Sequence, residues 1–598
     1  MRAFVVLLLS SIAAIAAGGW YAYQPIALSP GERLLRYVPS DSAFLLGLTR
    51  PLPAQRFLAE WDRLLPPYPS AAAQLDPRRV TAEEGPAMGV LAGLLQQRTV
   101  GRAKGEWPFS RYGFPPMGVM AVYMAGGAPV LRWQLTDPET LWKTLNTAEQ
   151  AAGIRGQSES RGSLKLRRYA FSTRGRHSPL ELIFAAGDGF GMVTLHVQGV
   201  SQRALDAALG VQMPANSFAP SELDDLAWTH GLLSGTAGFI DHQRLLAELS
   251  GASDEHFSKL INALTAVFGI TDPLLSALHT PDCRDDAKAI ADTWPRTILG
   301  VTGFEKSTGR LTGRLIIETA DQGMLAHLEP LQGDEPAVAS SPQSLLSFGL
   351  GIDFSSLTSV MGSFETQFTG TPYRCPALIA AQRLPWPNPL QFGIATALLA
   401  DVKGAAAALF RLQPASDSTW PIKGDGIIMI ASDHPMALWR TVQFMGGLDL
   451  KQAPQLDGPP VALPDQWTRG QPVRVALRKN GLAVLFGDAK LPSSHAGAGP
   501  KASSPHYLVA LRFRARHAAA AAQVIMQRLP MRMKPAARQR LRGALDELQA
   551  LDMGLEIGIG LGNTGFNVDI TVVPESATPG GGSATRMAVK SPAQTAVR

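Results

Sequence analysis

The chain repeats one hydrophobic pattern with variations. Apolar, β-rich runs of about six to eight residues lead through a turn or capping residue into stretches with the 3.6-residue period of a helix. At Val130–Leu135, for example, the run ends in Asp137-Pro138-Glu139, which are favoured at a helix N-cap and first turn. The other predicted junctions are Ala43–Thr49 before a helix at Gln55–Leu65, Met192–Val197 with Ser201, Gly238–Ile240 with Asp241, Leu315–Glu318 with Asp321, Phe348–Ile352 with Asp353, Phe392–Leu399 with Asp401, Ile427–Ala431 with Asp433, and Tyr507–Arg514 before a helix near His517. Helix capping explains these acidic residues without catalysis.

Between the junctions, neighbouring strands read as antiparallel pairs. Ile298–Glu305 and Arg310–Glu318 flank a four-residue turn, and Ser163–Phe171, Leu180–Ala185 and Phe190–Leu195 form a predicted meander. Hairpins mixed with helices favour an α+β fold over a doubly wound parallel sheet. We therefore predict repeated antiparallel strand pairs with strand-to-helix units.

The units are spaced too irregularly for a solenoid, but internal sequence similarity predicts two related lobes. The two most similar internal segments begin at Gly238 and Gly349. The stretch Gly333–Ser341 is rich in Gly, Pro and Ser, and we place the boundary between the lobes there. The predicted division is a membrane-directed segment at 1–27, a first lobe at 28–335, a second at 336–575, and a disordered tail at 576–598.

The N-terminus predicts export. From Ala3 to Tyr23 the chain carries no charge for 21 residues, which as a helix spans about 31 Å. Arg2 precedes this run and aromatic residues end it, as in a single-pass helix whose C-terminal bulk crosses the membrane. Ala14-Ile15-Ala16 keeps a cleaved signal peptide open as the alternative. We expect an inner-membrane anchor with a periplasmic bulk, or a soluble periplasmic protein after cleavage.

Composition agrees with a folded, exported chain. The 598 residues are 45% hydrophobic and 17% charged, and Cys283 and Cys375 are the 2 cysteines. Two cysteines in an oxidising compartment predict a disulfide. Two free thiols, or a metal site formed with His279 and the nearby Asp282, Asp285 and Asp286, are the alternatives.

Positive charge is concentrated near the C-terminus. The net charge is +6, and no acidic residue occurs between Arg512 and Asp546. The candidate basic patch consists of Arg512, Arg514, Arg516, Arg528, Arg532, Lys534, Arg538, Arg540 and Arg542. Export makes nucleic acid an improbable partner, whereas anionic lipids and envelope polymers are present there. A solvated basic surface is the simpler interpretation.

Catalytic signatures are missing from the sequence. It has no Gly-x-Ser-x-Gly elbow, Ser-x-x-Lys, His-Glu-x-x-His or phosphate-binding loop. Gly560-Leu-Gly562-Asn-Thr-Gly565 fits a dinucleotide pattern, but a β-rich run follows it, which indicates a hairpin and no cofactor. The remaining candidates are acids adjacent in sequence, Asp224-Asp225 and Glu83-Glu84, and histidines near acids, His230, His242, His279 and His434. Solvated turns and helix caps explain them more simply.

Several segments resemble a family of uncharacterised envelope proteins of Gram-negative bacteria. The resemblance rests on the opening Tyr37-Val38-Pro39-Ser40-Asp41, on Cys283 with Trp294-Pro295-Arg296, and on Tyr373-Arg374-Cys375-Pro376. It implies export, a paired-cysteine framework and a two-part periplasmic region, and it transfers no catalytic residue.

These observations favour a non-catalytic binding, scaffold or envelope-maintenance protein. Its expected partners are the inner membrane and another envelope protein, or an anionic envelope polymer or lipid. The alternatives are an envelope hydrolase, or a carrier of an apolar molecule, with a site between the lobes.

Overall fold

The computed structural model describes residues 28–574 except for short internal gaps. These gaps are 52–75, 104–108, 174–175, 252–254, 270–274, 276, 306, 342, 371, 383–392, 394–395, 398, 415–421, 447–452, 465–467, 469–470, 492–506, 529–534 and 551–552. The predicted anchor, the predicted tail and the predicted helix at Gln55–Leu65 lie outside the described residues. No helix within the described part is long and apolar enough to cross a membrane.

The described part is α+β, as the hydrophobic pattern predicts, with 19 strands in a single sheet. The strands are β1 (Phe44–Leu48), β2 (Met120–Ala125), β3 (Ala128–Gln134), β4 (Gln157–Arg161), β5 (Leu164–Thr173), β6 (Arg176–Gly187), β7 (Phe190–Val197), β8 (Gly238–Asp241), β9 (Arg296–Glu305), β10 (Arg310–Glu318), β11 (Leu346–Leu350), β12 (Val402–Pro414), β13 (Ile422–Ser432), β14 (Val461–Ala462), β15 (Val473–Arg478), β16 (Gly481–Phe486), β17 (Tyr507–Arg514), β18 (Met553–Gly562) and β19 (Gly565–Pro574).

Fifteen α-helices accompany the strands in the described part. They are α1 (Pro30–Leu35), α2 (Pro77–Glu84), α3 (Pro86–Ala103), α4 (Pro138–Ala152), α5 (Gln202–Leu209), α6 (Pro220–Thr229), α7 (His242–Leu249), α8 (Glu255–Phe268), α9 (Pro281–Thr293), α10 (Gln322–Leu328), α11 (Phe354–Gly370), α12 (Pro376–Gln382), α13 (Pro435–Gly446), α14 (Ala515–Arg528) and α15 (Pro535–Ala550).

All strand pairings in the sheet are antiparallel. Strands β10 and β19 pair at the centre. From β10 the order outward is β9, β8, β1, β2, β3, β7, β6, β5 and β4. From β19 it is β18, β17, β11, β12, β13, β16, β15 and β14. If the strands of each set are numbered in chain order and β4 is left out, both sets have the same order in the sheet. Strand β4 is an additional strand at one edge. By this order β1 corresponds to β11, so the similar segments that begin at Gly238 on β8 and Gly349 on β11 do not lie on equivalent strands.

Local signals explain where many helices begin. The side chains of Asp137, Ser201, Asp241 and Asp321 each accept a backbone N–H in the first turn of the following helix. These four predicted caps are confirmed. The pattern at Gly560–Gly565 is also confirmed as a hairpin, because Gly562 pairs with Gly565 at the turn between β18 and β19.

The predicted strand at Phe392–Leu399 is wrong where the structure describes it. Gly393, Thr396 and Ala397 are helical, and the Thr396 hydroxyl donates to the Gly393 carbonyl. Asp401 therefore precedes a strand, β12, and not a helix. A short apolar run rich in Ala and Leu fits a helix as well as a strand, and here the strong helix propensity of these residues prevailed.

The cysteine pairing is a disulfide. Cys283 on α9 and Cys375, just before α12, are joined with Sγ atoms 2.07 Å apart. Asp285 and Asp286, two of the acids considered as metal ligands, instead bind the backbone and side chain beside the disulfide. The Asp286 carboxylate accepts the backbone N–H groups of Arg374 and Cys375, each at 2.7 Å, and Asp285 pairs with the Arg374 guanidinium at 2.9 Å. No group of three or more potential ligands suited to a metal ion occurs among the described residues.

Candidate apolar binding groove

One face of the sheet is apolar across nine adjacent strands, β9, β10, β19, β18, β17, β11, β12, β13 and β16. Directly opposed residues form three transverse rows on this face. The first row is Val301, Gly313, Ile570, Ile557, Leu511, Phe348, Ala407, Ile428 and Val484. The second is Phe304, Leu311, Val572, Leu555, Phe513, Leu346, Leu409, Gly426 and Phe486. The third is Leu299, Leu315, Val568, Ile559, Val509, Leu350, Ala405, Ile430 and Leu482. No residue of these rows is charged.

Much of this face is accessible to solvent. Leu346 is 44% exposed, Phe348 42% and Ile428 40%, and Ile559 and Ile570 are similarly open. Strands this apolar on one face normally pack that face against a core. We call the nine-strand surface the open apolar face, because large exposed apolar patches mark binding sites.

Two clusters of described helical residues cover part of the open apolar face. There, Leu438 and Trp439 of α13 pack with Leu482 in one cluster. Met324 and Leu328 of α10 and Val360 of α11 pack with Leu561 and Phe566 in another. Val484, at one end of the row that contains Phe348, also packs against the first cluster, whereas Leu346 and Phe348 themselves belong to neither cluster.

On the other side of the sheet, residues of the same face are buried or partly buried. Its row continues from Leu299 through β8 and β1 to Leu131, Val193 and Phe184. Trp133 and Phe184 are each only 6% exposed. They belong to one core cluster with Val90 and Leu94 of α3, Leu141 and Leu145 of α4, and Phe257 and Leu260 of α8. The open apolar face is therefore a local departure from the way the rest of the sheet is covered.

A groove of about 780 Å³ lies on the open apolar face at β11, β12, β13, β15 and β16. Leu346, Phe348, Leu409, Ile428 and Phe486 are among its lining residues, and none of the lining residues that the structure describes is charged. Leu463, Thr468 and Gln471, from the segment between β14 and β15, also line it. A pocket of this kind takes an apolar ligand or segment.

Polar groups on the wall of the groove are few. The Gln471 backbone N–H donates to the Thr468 carbonyl at 3.0 Å, which holds the two residues in one turn. The Thr468 hydroxyl oxygen is buried and has no hydrogen-bond partner among the described residues. A buried hydroxyl without a partner is unfavourable, so a bound ligand with an acceptor would relieve it.

The opposite face of the central strands is polar. Arg314 on β10 holds the Asp569 carboxylate on β19 with two hydrogen bonds, of 2.6 and 3.0 Å. The Tyr507 hydroxyl donates to the same carboxylate at 3.0 Å. Its ring lies over Gly558, where a Cβ atom would come within 2.3 Å of the ring. Burial, followed by the charge of Asp569, raises the pKa of Tyr507, so the hydroxyl stays a donor.

A second polar pair flanks the first. Glu556 accepts from Arg512 at 2.9 Å and from Arg310 at 3.1 Å. Glu335 approaches the sheet at Gly349, and burial raises the pKa of its carboxyl group while Arg512 opposes the rise. The two contacts of Glu556 are ion pairs that join β18 to β17 and β10.

The predicted basic patch is divided by these contacts. Arg512 is ion-paired on the sheet, whereas Arg516, Arg538 and Arg542 are exposed on α14 and α15. The backbone N–H of Arg514 donates to the Leu345 carbonyl. Arg528 lies in α14 and Arg540 in α15, but the structure does not describe their side chains. Arg532 and Lys534 are outside the described residues.

The histidines and paired acids named in the sequence serve local contacts. His230 Nε2 lies 3.2 Å from Glu318, which Arg296 also binds at 2.7 Å. Burial acts to raise the pKa of Glu318, but the hydrogen bonds from His230 and Arg296 hold it below its ordinary value.

The other members of this set are dispersed. His242 contacts the Trp294 carbonyl and the Thr297 hydroxyl, and His434 contacts Asp401 at 3.2 Å on the surface. His279 and Asp225 are exposed. Asp224 pairs with Arg50 and Glu83 with Arg79, while Glu84 is exposed. None of these residues lines the groove.

No protein-family model, curated protein or solved structure matches this chain. The groove itself was not apparent from the sequence. The alternation of Leu and Ile with Gly, Glu and Arg in β17 and β18 predicts one apolar face, but it does not predict whether that face is covered.

Proposed function

We propose that this chain is an exported, membrane-anchored binding protein of the bacterial cell envelope that acts without catalysis. The observation that carries the proposal is the open apolar face with its groove of about 780 Å³, whose described lining residues are uncharged. Exposure of 40–44% at Leu346, Phe348 and Ile428 is costly in water unless an apolar occupant covers these side chains. The function we assign to the groove is to hold such an occupant.

The proposed location rests on the sequence. The uncharged run Ala3–Tyr23 after Arg2 is long enough for an inner-membrane helix that leaves the bulk of the chain in the periplasm. A disulfide between Cys283 and Cys375 fits an oxidising compartment. The resemblance to Gram-negative envelope proteins points the same way.

We also infer that the exported part consists of two related lobes, 28–335 and 336–575. The repeated strand order on the two sides of the β10–β19 pair supports this inference. The chain passes from the first set of strands to the second between Glu318 and Leu346, near the predicted boundary. In this division the groove lies in the second lobe, and strands β9 and β10 of the open apolar face belong to the first.

Binding has more support than hydrolysis. A hydrolase would place a titratable group in a concave site. The His230–Glu318 contact is buried beside Arg296, the His434–Asp401 contact lies on the surface, and the described residues that line the groove include no titratable side chain. The exposed arginines of α14 and α15 would add attraction to anionic lipid headgroups or envelope polymers.

Removing the apolar character of the groove should release the occupant. We expect native mass spectrometry of the full chain, purified from its own membrane, to detect a noncovalent adduct on the wild type. The double variant Phe348→Asp/Ile428→Asp should lose it, because an apolar occupant would then have to cover two carboxylates instead of two apolar side chains.

The matched control is Phe444→Asp, since Phe444 is 88% exposed on α13 and is not part of the groove. This control should keep the adduct, and circular dichroism should show that all variants are folded. Equal adducts on the wild type and the double variant would rule out the groove as the binding site.

A further inference from the structure

We propose that the groove binds the acyl chain of an ester lipid and that the Thr468 hydroxyl donates a hydrogen bond to the ester carbonyl. This inference rests on the proposed binding function and names the ligand class of the same site. It depends on three observations: the shape of the floor, the buried hydroxyl and the lack of charge.

The floor of the groove is a trough between larger side chains. Gly426 lies between Phe486 and Leu409 in one transverse row, and Ala407 lies between Ile428 and Phe348 in the adjacent row. These small residues on neighbouring strands leave a depression, and Leu463 also lines the groove. A flexible aliphatic chain fits such a trough, because it gains dispersion contacts along its whole length.

Thr468 supplies the polar end of the site. It lines the groove, and its Oγ1 atom is buried without a hydrogen-bond partner among the described residues. A hydroxyl in this position favours a ligand that brings an acceptor to it. The carbonyl oxygen of an ester is such an acceptor, and it is attached directly to an aliphatic chain.

The charge of the lining selects the kind of acyl compound. No Lys, Arg or His occurs among the described residues that line the groove, so these residues offer a free carboxylate no opposite charge in exchange for its lost hydration. An ester has the carbonyl without the charge, and its polar headgroup remains in water at the mouth. The site should therefore be indifferent to the headgroup and should discriminate against free fatty acids.

The test compares lysophospholipids that differ in one feature at a time. The probes are 8-, 10- and 12-carbon chains, each as the 1-acyl ester and as the 1-alkyl ether, titrated below their micelle concentrations into the full chain held in amphipol. In the wild type, affinity should rise about fourfold for each buried methylene. The ester should bind about two- to tenfold more tightly than the ether, which lacks the carbonyl.

Thr468→Val separates the hydrogen bond from the apolar contacts, since valine has nearly the same shape as threonine. This variant should lose the preference for the ester and keep the gain per methylene, and Thr468→Ser should restore the preference. Equal affinities of ester and ether in the wild type, or a preference that survives in Thr468→Val, would overturn the assignment of Thr468 and the ester. Affinity independent of chain length would overturn the acyl-chain site.

Failure of this inference is distinguishable from failure of the proposed function. If the adduct that the double variant loses is a polypeptide, the groove still binds an apolar occupant, but the ester-lipid inference is wrong. If there is no adduct and no lysophospholipid binds, both fail together.

Discussion

Replacing Asp569 with alanine should lower the free energy of unfolding by about 3 kcal/mol, the lower end of what breaking a buried ion pair costs. The Asp569 side chain is 5% exposed, and Arg314 binds it with two hydrogen bonds. Without the carboxylate, the Arg314 guanidinium, 27% exposed, would remain largely desolvated and without this partner. The Tyr507 hydroxyl would lose its acceptor as well.

Urea unfolding followed by circular dichroism measures this change, with the midpoint and the slope both recorded. The matched control is Glu83→Ala, because the Arg79–Glu83 pair has a similar separation of 2.8 Å but side chains that are 75% and 57% exposed. This control should cost less than about 1 kcal/mol. A loss in Asp569→Ala no larger than in the control would show that the central ion pair does not stabilise the β10–β19 junction.

Removing the disulfide should have an effect of comparable size. The double variant Cys283→Ser/Cys375→Ser should lose about 2–5 kcal/mol of unfolding free energy. The bond joins α9 to the start of α12 across 92 residues, and this interval contains the passage from β10 to β11. In the chain-entropy model a long closed loop restricts the unfolded ensemble strongly.

The same unfolding experiment on the wild type, with and without a reductant, provides a second measurement of the same bond. Reduction should reproduce the loss seen in the double serine variant. Asp286→Asn is the matched control, since it weakens the contacts to the Arg374 and Cys375 N–H groups and keeps the bond. An unchanged midpoint in both the reduced wild type and the double variant would contradict a stabilising role.

The sequence predicted those parts of the fold that depend on local signals. Asp137, Ser201, Asp241 and Asp321 cap helices as expected, because capping depends on residues within one turn. The hairpin of β9 and β10 was equally clear from its turn. The disulfide was predicted from the presence of two cysteines in an exported chain. The contacts of Asp286 beside the disulfide were not predicted.

Long-range pairing was beyond local signals. The pairing of β10 with β19 joins residues about 250 positions apart, such as Arg314 and Asp569, and no short motif encodes it. The strand predicted at Phe392–Leu399 was wrong for a related reason, because a short apolar run does not by itself specify a helix or a strand. The groove was missed because its exposure depends on where helices lie and not on the strands that form it.

Photocrosslinking from the groove in intact cells tests most directly whether the open apolar face is a binding surface. Phe348 and Phe444 are 42% and 88% exposed, so each accepts p-benzoylphenylalanine in place of phenylalanine. Irradiation of the full chain should yield a defined adduct from position 348. This adduct should be lost when the chain also carries Ile428→Asp, and it should not form from position 444. The same adducts from both positions, or none from position 348, would contradict a binding role for this face.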